Sequence, residues 1–288
     1  MGSSDPILKL LKDFAYAVVR LPRENVRPLL ILEKQGNDLT VLGELTDLFS
    51  AGQASIPAVG PDQQAAFING KRSRSLDINV GLSLLGGIIG AMTGSKLKLD
   101  AAYKKVSNLT FEFEDVKVSE VSQLSLNKFL SGTKPDPTVG QGILNALEDD
   151  RLYVITSVIK SKKFKTEATQ SNGTSVGVDI PVVKEMVGGA VQIKSEGTSD
   201  SKVTYEGQTP LVFGLQAARM EFENGIFKGL KQTKPEEAAV RGPAGPKAEP
   251  EFELLTTEGP FVKLSEKSRR VKKASASGKP SGRRGSKR

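Results

Sequence analysis

The chain has 288 residues and a formal net charge of +8, with no histidine and no cysteine. Those absences remove the usual near-neutral acid–base group, the thiol nucleophile, a disulfide scaffold and the commonest zinc and iron ligands. Residues 267–288 hold ten Lys or Arg and no acid, so the other 31 basic and 33 acidic residues leave the body at about −2.

No run reaches the roughly 18 apolar residues of a membrane-spanning helix. No signal peptide is read over residues 1–30, which points to a cytoplasmic home. Asp5-Pro6 ahead of Ile7, Leu8, Leu10, Leu11 and Phe14 predicts a short amphipathic helix, with Asp as cap and Pro in the first turn. Residues 29–32 and 40–42, either side of Gly36-Asn37-Asp38, predict a hairpin. Residues 51–70, rich in Gly, Pro and Gln, read as a loop.

Residues 75–82 read as a strand, 84–93 as a glycine-interrupted apolar stretch, and 96–118 as a long alternating run that stumbles at Lys105, Val106 and Ser107. Odd positions there are greasy (Leu97, Leu99, Leu109, Phe111, Phe113) and even positions wet (Lys96, Lys98, Asp100, Glu112, Glu114). Residues 142–147 predict a helix. A second unit follows the same plan: an apolar strand over 152–166, an alternating piece at 176–180, a helical turn at 181–186, a break at Gly188-Gly189, and a returning strand over 191–205. Residues 211–222, apolar on both faces, predict a central strand. Beyond Lys231 come a Pro-rich linker, an apolar island (Phe252, Leu254, Leu255, Phe261, Val262, Leu264) and the basic tail.

Chemistry-bearing motifs are weak. Glu112 and Glu114 have the spacing of a solvated face, and Gly86, Gly87 and Gly90 lack the Gly-Lys-Ser/Thr ending of a phosphate loop. Gly173-Thr-Ser175-Val-Gly177 matches the nucleophile-elbow spacing, but a polar loop precedes it and no histidine exists to activate the serine. No enzyme activity and no cofactor are expected. The cluster Lys160, Lys162, Lys163 and Lys165 ends an apolar strand, which suits anionic headgroups; Lys96 and Lys98 are further candidates for lipid-facing or headgroup-binding positions. The bland alternative is an edge protected by lysines. Alternating strands of about 9–11 residues span lipid only in a closed barrel, which here requires hairpins from many copies.

The run Leu152-Tyr-Val-Ile-Thr-Ser-Val-Ile-Lys-Ser-Lys-Lys-Phe, the stretch Val203-Thr-Tyr-Glu-Gly-Gln-Thr-Pro-Leu-Val-Phe-Gly-Leu-Gln-Ala and the opening Ser4-Asp-Pro-Ile-Leu-Lys-Leu-Leu-Lys-Asp-Phe resemble bacterial gasdermins over about residues 3–265. The resemblance implies an α+β fold, with a twisted central antiparallel sheet and peripheral helices. With the composition it divides the chain into a pore-forming domain (1–230), a Pro-rich linker (231–250) and an autoinhibitory segment (251–265); the basic tail (266–288), whose composition reads as disordered, goes beyond the compact inhibitory segment that the family implies. It further implies a cytoplasmic monomer cut near its C-terminus by a caspase-like or related protease; Arg241 and Lys247 would suit a trypsin-like one. The freed chain then oligomerises as a β-barrel in the inner membrane on anionic lipids and kills the cell in antiphage defence. Family members commonly carry a lipidated N-terminal cysteine where this chain has Ser3. The alternative is an acidic-partner or nucleic-acid binder acting through residues 267–288, since clustered cations displace counterions from phosphate polymers; nucleic acid is not the expected partner.

Overall fold

The computed structural model describes residues 16–35, 38–50, 54–73, 75–93, 99–196, 200–232, 261–262 and 264–266. Thirteen strands join one largely antiparallel sheet: β1 (Ala17–Arg23), β2 (Leu30–Gln35), β3 (Asp38–Glu44), β4 (Gln63–Gln64), β5 (Leu76–Asp77), β6 (Asn108–Glu114), β7 (Lys117–Glu120), β8 (Leu152–Thr169), β9 (Val191–Glu196), β10 (Lys202–Glu223), β11 (Ile226–Gln232), β12 (Phe261–Val262) and β13 (Leu264–Glu266). Among the described residues five α-helices lie against it: α1 (Leu45–Leu48), α2 (Ile78–Thr93), α3 (Gln123–Ser131), α4 (Gln141–Glu148) and α5 (Ile180–Val187). The α+β expectation holds.

The spine is the antiparallel pair of β8 and β10, 18 and 22 residues long. Residues 152–159 of β8 are buried on both faces, which matches their unbroken apolar run. Along one side β8 pairs with β2, β7 and β6 in turn; β10 pairs with β9, β1 and β11 on its far side. The foreseen central strand at 211–222 is therefore the second half of β10. The β2–β3 hairpin is as expected, with Gln35 facing Asp38. At α5, Asp179 caps the Val182 amide and Pro181 occupies the first turn, as the helical turn at 181–186 foreshadows.

Four expectations change. Residues 78–93 form a helix, and the strand shrinks to Leu76–Asp77, because Leu85, Ile88 and Ile89 are buried at helical spacing against the sheet. The 96–118 run does not form one strand: Leu99, Ala102, Tyr103 and Val106 fold inward over 99–107, and β6 starts at Asn108, so the stumble at Lys105–Ser107 is a true break. Residues 176–180 contribute only a single bridge nearby, Thr169 to Ser175. The returning strand over 191–205 divides into β9 and β10, which pair with each other. The predicted helix over residues 5–14 lies outside the described residues.

The sheet path runs β12–β1–β10–β8–β2–β3–β13. β12 and β13 are separated by residue 263 alone, so the path begins and ends on one stretch of chain. Phe261 and Val262 run parallel to Val18 and Val19, and Leu264, Ser265 and Glu266 run parallel to Leu39, Thr40 and Val41. The C-terminal segment therefore bridges β1 and β3, two strands that would otherwise each present an open edge.

Candidate functional site

Period two in β6, β8, β9 and β10 sends alternate residues to opposite faces. On one face, cross-strand rows read Phe113, Phe164, Tyr205 and Ile193, then Phe111, Thr166 and Val203, then Leu109 and Ala168. Phe164 stacks on Tyr205 with ring centroids 5.1 Å apart. Three inserts cover this face: α2 through Leu85, Ile88 and Ile89, the 99–107 turn, and α5 through Ile180, Val183 and Val187. Each fully buried Leu, Ile or Phe contributes about 1.5–3 kcal/mol relative to exposure. α2 approaches β6 closely: a Cβ on Gly81 would stand 2.9 Å from the Leu109 Cβ. The turn is pinned by the Tyr103 and Tyr205 hydroxyls, 2.5 Å apart and buried. Burial pushes the Tyr103 phenol up to about 12, against the pull of its hydrogen bond to Tyr205, so it is neutral at physiological pH.

The opposite face of the same strands is charged. Glu112 and Glu114 of β6 face Lys165 and Lys163 of β8, which face Thr204 and Glu206 of β10; Glu167 faces Lys202, which in turn faces Glu196 of β9. Glu114 receives Lys163 and Lys165, each at 2.7 Å, and Lys165 also reaches Glu196 at 3.2 Å. Arg72 joins Glu112 at 2.8 Å and Glu167 at 3.1 Å. Burial works to raise the Glu114 carboxyl, but the hydrogen bonds from both lysines outweigh it and hold it below the usual range. Lys165 is raised, chiefly by its hydrogen bond to Glu114.

The foreseen lysines of β8 are all ion-paired. Lys160 binds Asp62 at 2.8 Å, where Ser119 also donates to Asp62, and Lys162 binds Glu206 at 3.0 Å. Lys163 and Lys165 belong to the charged face. Lys96, Lys98 and Ser3 lie outside the described residues, as do Phe252, Leu254 and Leu255. Of the apolar island, the backbones of Phe261, Val262 and Leu264 are placed, in β12 and β13. The carboxylates that hold the lysines escaped the sequence reading, which treats Glu112 and Glu114 as a solvated face. The available signal was complementary alternation, Glu at 112 and 114 against Lys at 163 and 165. Ser175 sits at a turn bridge with no helix directly after it, which leaves the nucleophile-elbow spacing without its structural context. Among the described residues no helix is long and apolar enough to cross a membrane, and no acidic cluster has a metal-binding arrangement.

The sheet thus has an apolar face wrapped by its own inserts, a charged face opposite, and a C-terminal segment paired with β1 and β3, and this is a gasdermin fold. The model of the Bacterial Gasdermin Family matches residues 19–226, and the chain belongs to this family. It is 39% identical over 266 residues to a gasdermin of a Desulfuromonadales bacterium, covering 92% of this chain and 99% of that one. It is 34% identical over 264 residues to a gasdermin of Vitiosangium sp. (strain GDMCC 1.1324), covering 91% and 97%. The structure of a bacterial gasdermin from Bradyrhizobium tropiciagri shares the fold, with a TM-score of 0.64 at 15% identity over 92% of this chain and 98% of that one. Gasdermins are pore-forming and non-enzymatic.

Proposed function

We propose that this gasdermin is an autoinhibited pore-former whose restraint is the C-terminal strand segment 261–266, released by proteolysis in the linker at 231–250. The observation that carries the reading is the bridging of β1 and β3 by that one segment. Two and three residue pairs form a weak ladder, effective because the tether keeps its concentration near millimolar. Once the chain is cut, each tenfold dilution weakens association by about 1.4 kcal/mol, and the edges open. α2, the 99–107 turn and α5 then leave the apolar face, the strands lengthen as hairpins, and many copies join them into a β-barrel in the inner membrane, because only a closed barrel satisfies strand hydrogen bonds in lipid. The consequence is cell death, with antiphage defence as its purpose.

Arg241 and Lys247 offer a trypsin-like protease its cut, and a caspase-like protease is the other class considered. Lys96, Lys98, Lys160 and Lys162 serve as contacts to anionic headgroups, each worth about 1 kcal/mol near such a surface; Lys160 and Lys162 first part from Asp62 and Glu206. Before the cut the chain is a cytoplasmic monomer. The test is dye release from anionic liposomes after cleavage between Lys231 and Glu253. Release should follow the extent of cleavage, whereas intact vesicles after complete cleavage would overturn the reading.

A further inference from the structure

The five strands of the sheet path that lie between its two ends alternate in direction: β1 with β10, β10 with β8, β8 with β2 and β2 with β3 are each antiparallel. β1 and β3 therefore point the same way at opposite ends of that path. The segment 261–266 runs parallel to both, meeting β1 at Val18 and Val19 and β3 at Leu39, Thr40 and Val41. A strand of that direction on each outer edge is also what a neighbouring copy would supply, with its β3 laid beside this β1 or its β1 beside this β3. Either contact carries the sheet on without inverting its faces, since each added five-strand unit repeats the direction of the last.

The residues on the edges separate those built to stay open from those that are covered. Among the described residues β9 and β11 pair with β10 alone. β9 carries Lys194 and Glu196, the latter at the end of the charged ladder that runs from Glu114 through Lys165, and β11 carries Lys228 and Lys231. Charges of this kind keep an open edge from recruiting further strands. At the positions that the C-terminal segment covers, β1 and β3 present Val18, Val19, Leu39, Thr40 and Val41, with neither charge nor proline. Val and Thr favour extended backbone, and the outward N–H and C=O groups of both edges lose their partners once the segment departs. β1 and β3 are thus adhesive edges capped by one removable strand.

We propose that cleaved copies join head to tail through these edges, β1 of one copy pairing in parallel with β3 of the next. The partner is a second copy of this chain, and the inference rests on the pore-forming reading above, adding how the copies find one another. A heterologous contact closes into a ring in which each copy gives one edge and receives one. In the restrained form the segment satisfies both edges of its own chain, so an uncut copy neither starts nor extends a ring, and one cut exposes both contacts together. The contact is short, because Arg20 and Pro22 interrupt β1 beyond Val19. A few residue pairs do not hold two copies together in dilute solution. On a membrane the copies are concentrated, each makes two contacts, and closure makes the last of them intramolecular. Assembly therefore waits for the membrane.

Introduced thiols read the pairing directly, because the chain has no cysteine of its own. Val18→Cys and Thr40→Cys place one thiol on each edge. After linker cleavage on anionic liposomes and treatment with a short bismaleimide, an equal mixture of the two single variants should give crosslinked dimers and nothing larger. The double variant should give dimers, trimers and longer chains once cleaved, and stay at monomer size when uncleaved. Either single variant by itself should remain monomeric, since equivalent thiols of neighbouring copies lie five strand spacings apart, roughly 24 Å along the sheet. Val19→Cys and Val41→Cys form a second pair on the same edges, with the same pattern expected. Without crosslinker each variant should release dye as wild type does, which establishes that it folds and assembles. Leakage accompanied by dimers of a single variant with itself, or by mixtures that give no dimers, overturns the contact between β1 and β3 and leaves the pore-forming reading intact. Vesicles that never leak after complete cleavage of the wild-type chain overturn that reading instead.

Discussion

Tying α2 to β6 should lock the protein in its restrained form even after the linker is cut. A Cβ at position 81 stands 2.9 Å from that of Leu109, whereas a disulfide sets the two Cβ atoms about 3.5–4.5 Å apart. Gly81→Cys with Leu109→Cys therefore asks the helix to rise by roughly 0.6 Å, and trimming Leu109 frees the space. Closing a loop of about 28 residues restricts the unfolded chain by about 3.5 kcal/mol. Losing most of a fully buried leucine costs about 2–5 kcal/mol, so stability changes little. The effect on rearrangement is much larger. Leu76 faces Leu109 and Asp77 faces Asn108; that register, extended as a hairpin, places residue 81 across from 104, about 17 Å along the strand from 109. The crosslinked chain cannot reach this pairing. Dye release after complete linker cleavage should be absent when the variant is oxidised and return on adding reductant, with each single-cysteine variant leaking in both conditions. Oxidised, fully cleaved protein that leaks as fast as reduced protein would refute the claim that α2 must leave β6.

Two further predictions concern the packing that restrains the inserts. Tyr103→Phe deprives the buried Tyr205 hydroxyl of its partner and should destabilise the fold by about 1–3 kcal/mol, while Tyr103→Phe with Tyr205→Phe should be closer to wild type; urea midpoints of the three variants test this. The ladder should give a plateau of stability at intermediate pH. Glu114 is held below its ordinary range, so its contribution is present above the unfolded value of about 4.3 and is lost as pH falls through the lower folded value. Lys165 is raised, so its contribution is present below about 10.4 and is lost as pH rises through the higher folded value. Urea midpoints measured across pH should fall at both ends, and Glu114→Gln should flatten the acid limb; an unchanged acid limb would show that the ion pairs with Lys163 and Lys165 add nothing.

Much of the sheet was legible because strand faces are written locally. The apolar run from Leu152 and the double-sided one near Leu211 announce buried strands, and residues 181–186 announce a helical turn, though its start at Ile180 and its Asp179 cap do not show in the alternation of 176–180. Asn224-Gly225, both at positive φ, turns β10 into β11, whose last residues, Lys231 and Gln232, run into the stretch that composition reads as linker. The ion-paired state of the β8 lysines was legible only as complementary alternation with Glu112 and Glu114; which acid holds which lysine was not, because the partners lie some 30–100 residues away along the chain.

The sequence by itself determined which residues of a strand share a face, since a two-residue period depends only on backbone geometry; residues 176–182 keep that period although they lead into a helix, and 99–107 lose it at Lys105–Ser107. Tertiary structure decided which conformation those residues take. In water the row of Phe113, Phe164 and Tyr205 must be covered, and α2, the 99–107 turn and α5 cover it. Tertiary structure likewise decided that residues 261–266 join β1 to β3, because a short strand's partner is chosen by which edges the rest of the fold leaves open.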